Sequence, residues 1–162
     1  MNKKESKIPA QVVDPVTIEE ARSYEEQCLR VLRGAGFRIT MPRVQVIRAL
    51  ADTTRALSAY QIHEKILYSG GKIDVVSVYR ILSTLQDIGL IHHIGVVDGY
   101  YPSRLQSKNG KRSEVVVDER TGDVKELVVP ESVFDAIHEQ ARREGFEVAS
   151  IKIELTGLIR RA

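Results

Sequence analysis

The sequence predicts an α+β chain, with an N-terminal winged helix-turn-helix followed by a smaller α/β unit. Three observations carry that expectation. Several capped, amphipathic helical stretches precede residue 90, two short strand-like runs flank Asp98 and Gly99, and a hairpin, a helix and a strand follow a polar stretch around Asn109 and Gly110. A chain of 162 residues is long enough to bury one sizeable core or two small ones. With 43% hydrophobic and 28% charged residues it should fold throughout. No apolar run approaches the ~20 residues of a membrane-spanning helix. Met1 to Lys7 is followed by no hydrophobic signal core, so a cytoplasmic protein with no membrane partner is expected.

Residues 1–16 are polar, contain Pro9 and Pro15, and read as a flexible arm whose Lys3, Lys4 and Lys7 are available to phosphate. Thr17 with Glu20 forms a capping box that opens a helix with Ala21, Tyr24, Cys28, Val31 and Leu32 on its apolar face; Gly34 and Gly36 close it. Cys28 lies on that stripe, so a buried thiol is expected rather than a redox or metal ligand. As the only cysteine it makes no internal disulfide.

Thr40 caps a helix with Pro42 in its first turn, where a missing N–H costs nothing. Val44, Ile47 and Leu50 form its inner face, while Arg43, Gln45 and Arg48 project elsewhere. Ser58 with Gln61 opens the next helix, which buries Ile62 and Ile66 and ends at Ser69, Gly70 and Gly71. Asp74 then caps a helix with Val78, Leu82 and Leu85 inside and Ser77, Tyr79, Arg80, Ser83, Thr84 and Asp87 opposite. Gly89 ends it. Residues 90–97 and Tyr100 with Tyr101 read as two strands about an Asp98-Gly99 turn.

Helix, turn, helix, hairpin is the winged-helix order, in which the second helix of the pair enters the major groove while the hairpin and helix ends hold phosphate. Charge leans the same way. Residues 1–105 carry 14 Lys/Arg against 11 Asp/Glu, and 106–162 carry 10 against 11.

Residues 105–112 read as a linker. Residues 113–117 and 124–129 then form a valine-rich hairpin about Gly122. Pro130 opens a helix with Val133, Phe134, Ile137 and Ala141 on one side, and residues 146–155 form a further strand. A unit of about 50 residues buries too little surface to be comfortable alone, and pairing its strand edges with a second copy would remedy that.

The segments GAGFRITMPRVQVIRAL, LSAYQIHEKIL and VVSVYRILSTLQDIGLI, in that order within residues 29–101, resemble the DNA-binding domain of the ferric uptake regulator (Fur) family. The most specific pieces are Arg38, Thr40, Pro42 and Arg43, then Ser58 with Ala59, then Ser77 to Arg80. The resemblance implies a transcription factor, a repressor or an activator and not an enzyme, that binds a pseudo-palindromic double-stranded DNA operator as a homodimer. It implies DNA-binding roles for Arg38, Thr40, Arg43, Ser58, Ser77, Tyr79 and Arg80, with Tyr79 and Arg80 on the reading helix and Arg38 near the minor groove. It also makes residues 17–104 the DNA-binding domain and 113–162 a small α/β dimerization domain.

Typical members carry a His-rich stretch after the wing, CxxC pairs for zinc and a His in the last strand. This chain has none of these. Residues 107–113 offer Lys108, Lys111 and Arg112, whose cationic groups repel a divalent ion, and Ser150 and Ile151 stand where the last-strand His belongs. His92 and His93 are adjacent in a strand and face opposite sides, while His63 and His138 border helix cores. A composite site from His92 or His93 with Glu64 or Cys28 is thin in ligands, and haem on Cys28 needs that thiol exposed. The expectation is therefore a Fur-like regulator with no cofactor and no direct metal sensing. The competing reading is a regulatory subunit that heterodimerizes with a metal-sensing relative. No nucleophile and base set, phosphate-binding glycine loop or carboxylate pair supports an enzyme.

Overall fold

A computed structural model of the chain describes residues 13–105 and 112–160. The arm lysines Lys3, Lys4 and Lys7, most of the 105–112 linker and the last two residues lie outside the described residues.

Four helices come first: α1 (Ile18–Gly34), α2 (Met41–Ala51), α3 (Ala59–Tyr68) and α4 (Val75–Asp87). All four begin on the side-chain caps expected from the sequence. Thr17 Oγ1 accepts from the Glu20 N–H at 3.1 Å, Thr40 from Arg43, Ser58 from Gln61 and Asp74 from Ser77, so each first turn has its orphan N–H groups satisfied locally. They end alike. Phe37, Gly71 and Leu90 donate backbone N–H groups to the carbonyls of Leu32, Ile66 and Leu85, five residues back, and the residue before each is a glycine at positive φ. The α3–α4 turn is especially tight, since a Cβ on Gly71 would stand 2.6 Å from Ile66 Cγ2.

The main core joins these helices through Tyr24, Cys28, Leu32, Ile47, Leu50, Ile62, Ile66, Val78, Leu82 and Leu85, with Leu90 and Ile91 from the chain that follows. Val46 is fully buried although Val44, expected inside, is only half-buried. Tyr24 anchors the base by donating its hydroxyl to the Leu90 carbonyl at 2.9 Å across 66 residues.

The wing is an antiparallel pair, β1 (Ile91–Ile94) and β2 (Gly99–Pro102), with His92 opposite Tyr101. The expected first strand ran to Val97, but it stops at Ile94 because Gly95–Val97 winds into a single 3-10 turn and Asp98 takes positive φ. The cause lies 59 residues later, where the Glu154 carboxylate accepts from the Gly95 N–H at 2.8 Å.

The second sheet has the order β4–β3–β5, where β3 (Arg112–Asp118) pairs antiparallel with β4 (Val124–Glu126) and parallel with β5 (Ile151–Gly157). Both outer strands are shorter than expected. The residues from Phe146 do not join β5 at once, because Phe146 donates its N–H to Ala141 across Gly145 at φ +82, completing the end of α5 (Glu131–Arg143). Strand alternation gives the sheet two faces. Ser113, Val115 and Val117 with Lys152 and Glu154 turn toward the wing; Val116, Ile151, Ile153 and Leu155 turn away. On α5 only Phe134 is buried, so half of the expected apolar face, Val133 and Ile137, stays exposed.

A second core cluster is shared across the chain: Ile94 and Tyr101 of the wing pack with Val115, Val117 and Val124 of the second sheet. Among the described residues no helix is long and apolar enough to cross a membrane.

Candidate nucleic-acid interface

The surface that can meet a polyanion is built on α4. Its inner face, Val78, Leu82 and Leu85, has no solvent exposure, which fixes the rotation of the helix and forces the intervening residues outward. Tyr79 is 45% exposed, Val76 56%, and Arg80 stands beside them in solvent. The helix presents its N-terminal end, where Asp74 accepts from the Ser77 N–H and hydroxyl at 2.9 and 2.8 Å. Those two bonds hold the Asp74 carboxyl below the usual carboxylate range, so the cap stays ionised.

The residues expected to touch DNA fall into two groups. Arg38, Tyr79 and Arg80 are exposed, and neither guanidinium is in an ion pair among the described residues. The other four are engaged within the protein. Thr40 and Ser58 cap α2 and α3, Ser77 completes the cap of α4, and the Arg43 guanidinium donates to the Arg38 carbonyl at 2.6 Å while lying 5.4 Å from the Phe37 ring. Arg43 thereby braces the backbone that carries Arg38.

One exposed aromatic was missed from the sequence. Tyr60, in the first turn of α3 and 63% exposed, meets the Tyr79 ring edge-on with centroids 6.4 Å apart. Its signal was present: a large aromatic just after the Ser58 cap, off the Ile62 and Ile66 stripe, has no core to enter.

The family model described as "Ferric uptake regulator family" matches residues 34–156. The chain belongs to that family. It is 31% identical over 132 residues to the ferric uptake regulation protein of Brucella abortus biovar 1 (strain 9-941), covering 82% of this chain and 89% of that one. The zinc uptake regulation protein of Escherichia coli (strain K12) is 27% identical over 132 residues, covering 82% and 77%. Among solved structures, a zinc uptake regulator complexed with zinc and DNA superposes with a TM-score of 0.77 at 26% identity, covering 88% of this chain and 93% of that one.

Relatives bear the names of metals, so the donors of this Fur-family chain need testing against one. His92 is buried and both its ring nitrogens are engaged, Nδ1 with Ser113 Oγ and Nε2 with Glu126 Oε1, each at 2.7 Å. Glu126 also accepts from the backbone N–H groups of Arg104 and Leu105. His63 Nε2 contacts the Ile73 carbonyl at 2.8 Å, His93 Nε2 lies 3.2 Å from Asp98, and His138 sits on the exposed side of α5. Burial pushes the Cys28 thiol up to about 12, with Glu25 adding to the rise and the Tyr24 hydroxyl opposing it. A metal needs deprotonated, converging ligands, and among the described residues no three His, Cys, Asp or Glu side chains form a group able to hold one. The described residues do not fit a metal such as the zinc of that DNA-bound relative.

Proposed function

We propose that this Fur-family chain is a homodimeric, sequence-specific transcriptional regulator, acting as a repressor in the cytoplasm, that reads a pseudo-palindromic duplex without sensing a metal directly. The observation that carries the reading is the divided surface of α4: one face locked in the core, the other presenting Tyr79 and Arg80 beside Tyr60. The likeness to a zinc uptake regulator solved with DNA supports a duplex as the ligand. In this reading Arg80 offers paired donors to guanine or phosphate, Tyr79 packs against a thymine methyl, and Arg38 reaches phosphate beside the minor groove. Thr40, Arg43, Ser58 and Ser77 hold those three in place, and their hydroxyl and guanidinium groups lie near enough to the helix ends to meet the backbone as well.

The test is selection from a random duplex library by the full chain in EDTA. The expected result is enrichment of a two-fold related motif, bound at least about a thousandfold more tightly than bulk DNA at moderate salt. Enrichment only when zinc or iron is supplied overturns the metal-independent part. No enrichment under any condition overturns DNA reading and leaves the partner-binding subunit.

A further inference from the structure

The junction between the helical unit and the second sheet carries a set of carboxylates whose arrangement is one-sided. Asp123, Glu126 and Glu154 all come from the sheet unit; besides the Thr121 hydroxyl of its own unit, Asp123 accepts from the helical unit, and Glu126 and Glu154 accept from the wing and the segment leaving it. Asp123, with no side-chain exposure, accepts from Thr54 Oγ1 at 3.1 Å and faces Arg55 Nε at 3.5 Å, while Val124 donates its N–H to the Thr54 carbonyl at 2.8 Å. Glu126, 8% exposed, binds His92 and the N–H groups of Arg104 and Leu105 at 2.7 to 2.9 Å. Glu154 takes the Gly95 and Val96 N–H groups at 2.8 and 3.1 Å. That last pair ends β1 early and winds the wing tip.

Arg104 ties the set to the helical core. It donates to the Ala51 and Thr53 carbonyls at 2.8 and 3.3 Å and to Tyr101 Oη at 3.2 Å, with its guanidinium over the Tyr24 and Tyr101 rings. Beneath these contacts lies the shared apolar cluster of Ile94 and Tyr101 against Val115, Val117 and Val124. The buried carboxylates of Asp123 and Glu126 are costly unless paired, so removing one of their partners weakens the junction, to which half-buried Glu154 adds its two backbone bonds.

We propose that Glu126 and Glu154, with His92 and Arg104, are positioning residues that clamp the DNA-reading unit onto the sheet unit without a bound metal. The inference rests on the metal-independent reading above. The clamp holds both units in one arrangement that superposes as a whole on the zinc- and DNA-bound relative, with a TM-score of 0.77 over 88% of the chain. A carboxylate on a backbone N–H needs no ion from solution, so the closed arrangement is available at all metal concentrations.

Amide hydrogen exchange on the DNA-free full chain tests this, and because no DNA is present the clamp can fail while DNA reading stands, or the reverse. In EDTA the amides of Gly95, Val96 and Val124 should be protected, and added zinc should change their rates less than about twofold. Glu126→Ala removes the acceptor of none of the three. It should nonetheless speed their exchange by about tenfold or more, with α1 and α4 amides unchanged and affinity for the selected duplex reduced about tenfold. Should that variant also lose helix protection, Glu126→Gln, which keeps an acceptor and removes the charge, should give a smaller rise confined to the junction. Wild-type amides that gain protection only with zinc, or junction amides unmoved in both variants, would overturn the proposal.

Discussion

Arg80 and Arg43 are both arginines in the helix-turn-helix, yet their surroundings give them different tasks. Arg80 stands in solvent, whereas Arg43 spends one donor on the Arg38 carbonyl and stacks on Phe37. Arg80→Ala should therefore weaken binding to the selected duplex by about 1–3 kcal/mol while leaving stability within about half a kcal/mol, as read by anisotropy titration and thermal melting. Arg43→Ala should lower Tm and affinity together, because the Arg38 backbone loses its brace. That difference was invisible in the sequence, since a motif marks a residue without saying whether its side chain points at ligand or at backbone. Cys28 was legible, being one of the apolar positions along α1. With its folded pKa raised above that of an exposed thiol, it favours the folded state fully at neutral pH and loses that contribution as pH rises toward about 12. Iodoacetamide at pH 8 should leave native Cys28 unmodified over a period that alkylates the urea-unfolded chain completely, as read by mass spectrometry.

At the scale of elements, helices were readable and strand ends were not. A helix carries its own start and stop: Ser58 and Gln61 close a reciprocal box within three residues, and Gly70 closes α3 by its φ. Ser58→Ala should cost about 1 kcal/mol in chemical unfolding, with α3 losing order first. A strand end depends on distant residues. β1 stops at Ile94 because a carboxylate 59 residues later takes the Gly95 N–H, and no local pattern in the 90–97 run records that. Gly99 shows the same dependence. A Cβ there would lie 2.9 Å from Ala56 Cβ and 3.2 Å from the Ala56 carbonyl carbon, so its absence is demanded by the chain arriving from α2 rather than by the turn alone. Gly99→Ala should lower stability by about 1–3 kcal/mol, and its Tm is the readout.

The whole molecule poses a question of apolar balance. Within the second unit Val115, Val117, Val124, Phe134 and Ile151 are buried, while Val128, Val133, Ile137, Phe146, Leu155 and Leu158 are exposed, the last by 57% and Phe146 by 71%. Isolated exposed apolar residues are ordinary, but a unit that exposes as many large ones as it buries gains by covering them. Among the described residues the sheet order leaves β5 at an edge with no strand along its outer side, and β5 carries Leu155 on the face turned away from the wing. A second copy placed there would cover both, in a two-fold arrangement in which one surface serves both partners. Leu155→Asp places a charge on that covered face while leaving Glu154 and its bonds to the wing in place. Sedimentation should then shift toward the monomer, with far-UV circular dichroism unchanged. Binding to the two-fold duplex should fall by more than about tenfold, because a monomer occupies one half-site without the effective concentration that a tethered second reading helix supplies. A half-site duplex should bind wild type and variant alike. If the variant stays dimeric at micromolar concentration, the interface lies on another face, and the exposed side of α5 around Val133 and Ile137 is where the next charge belongs.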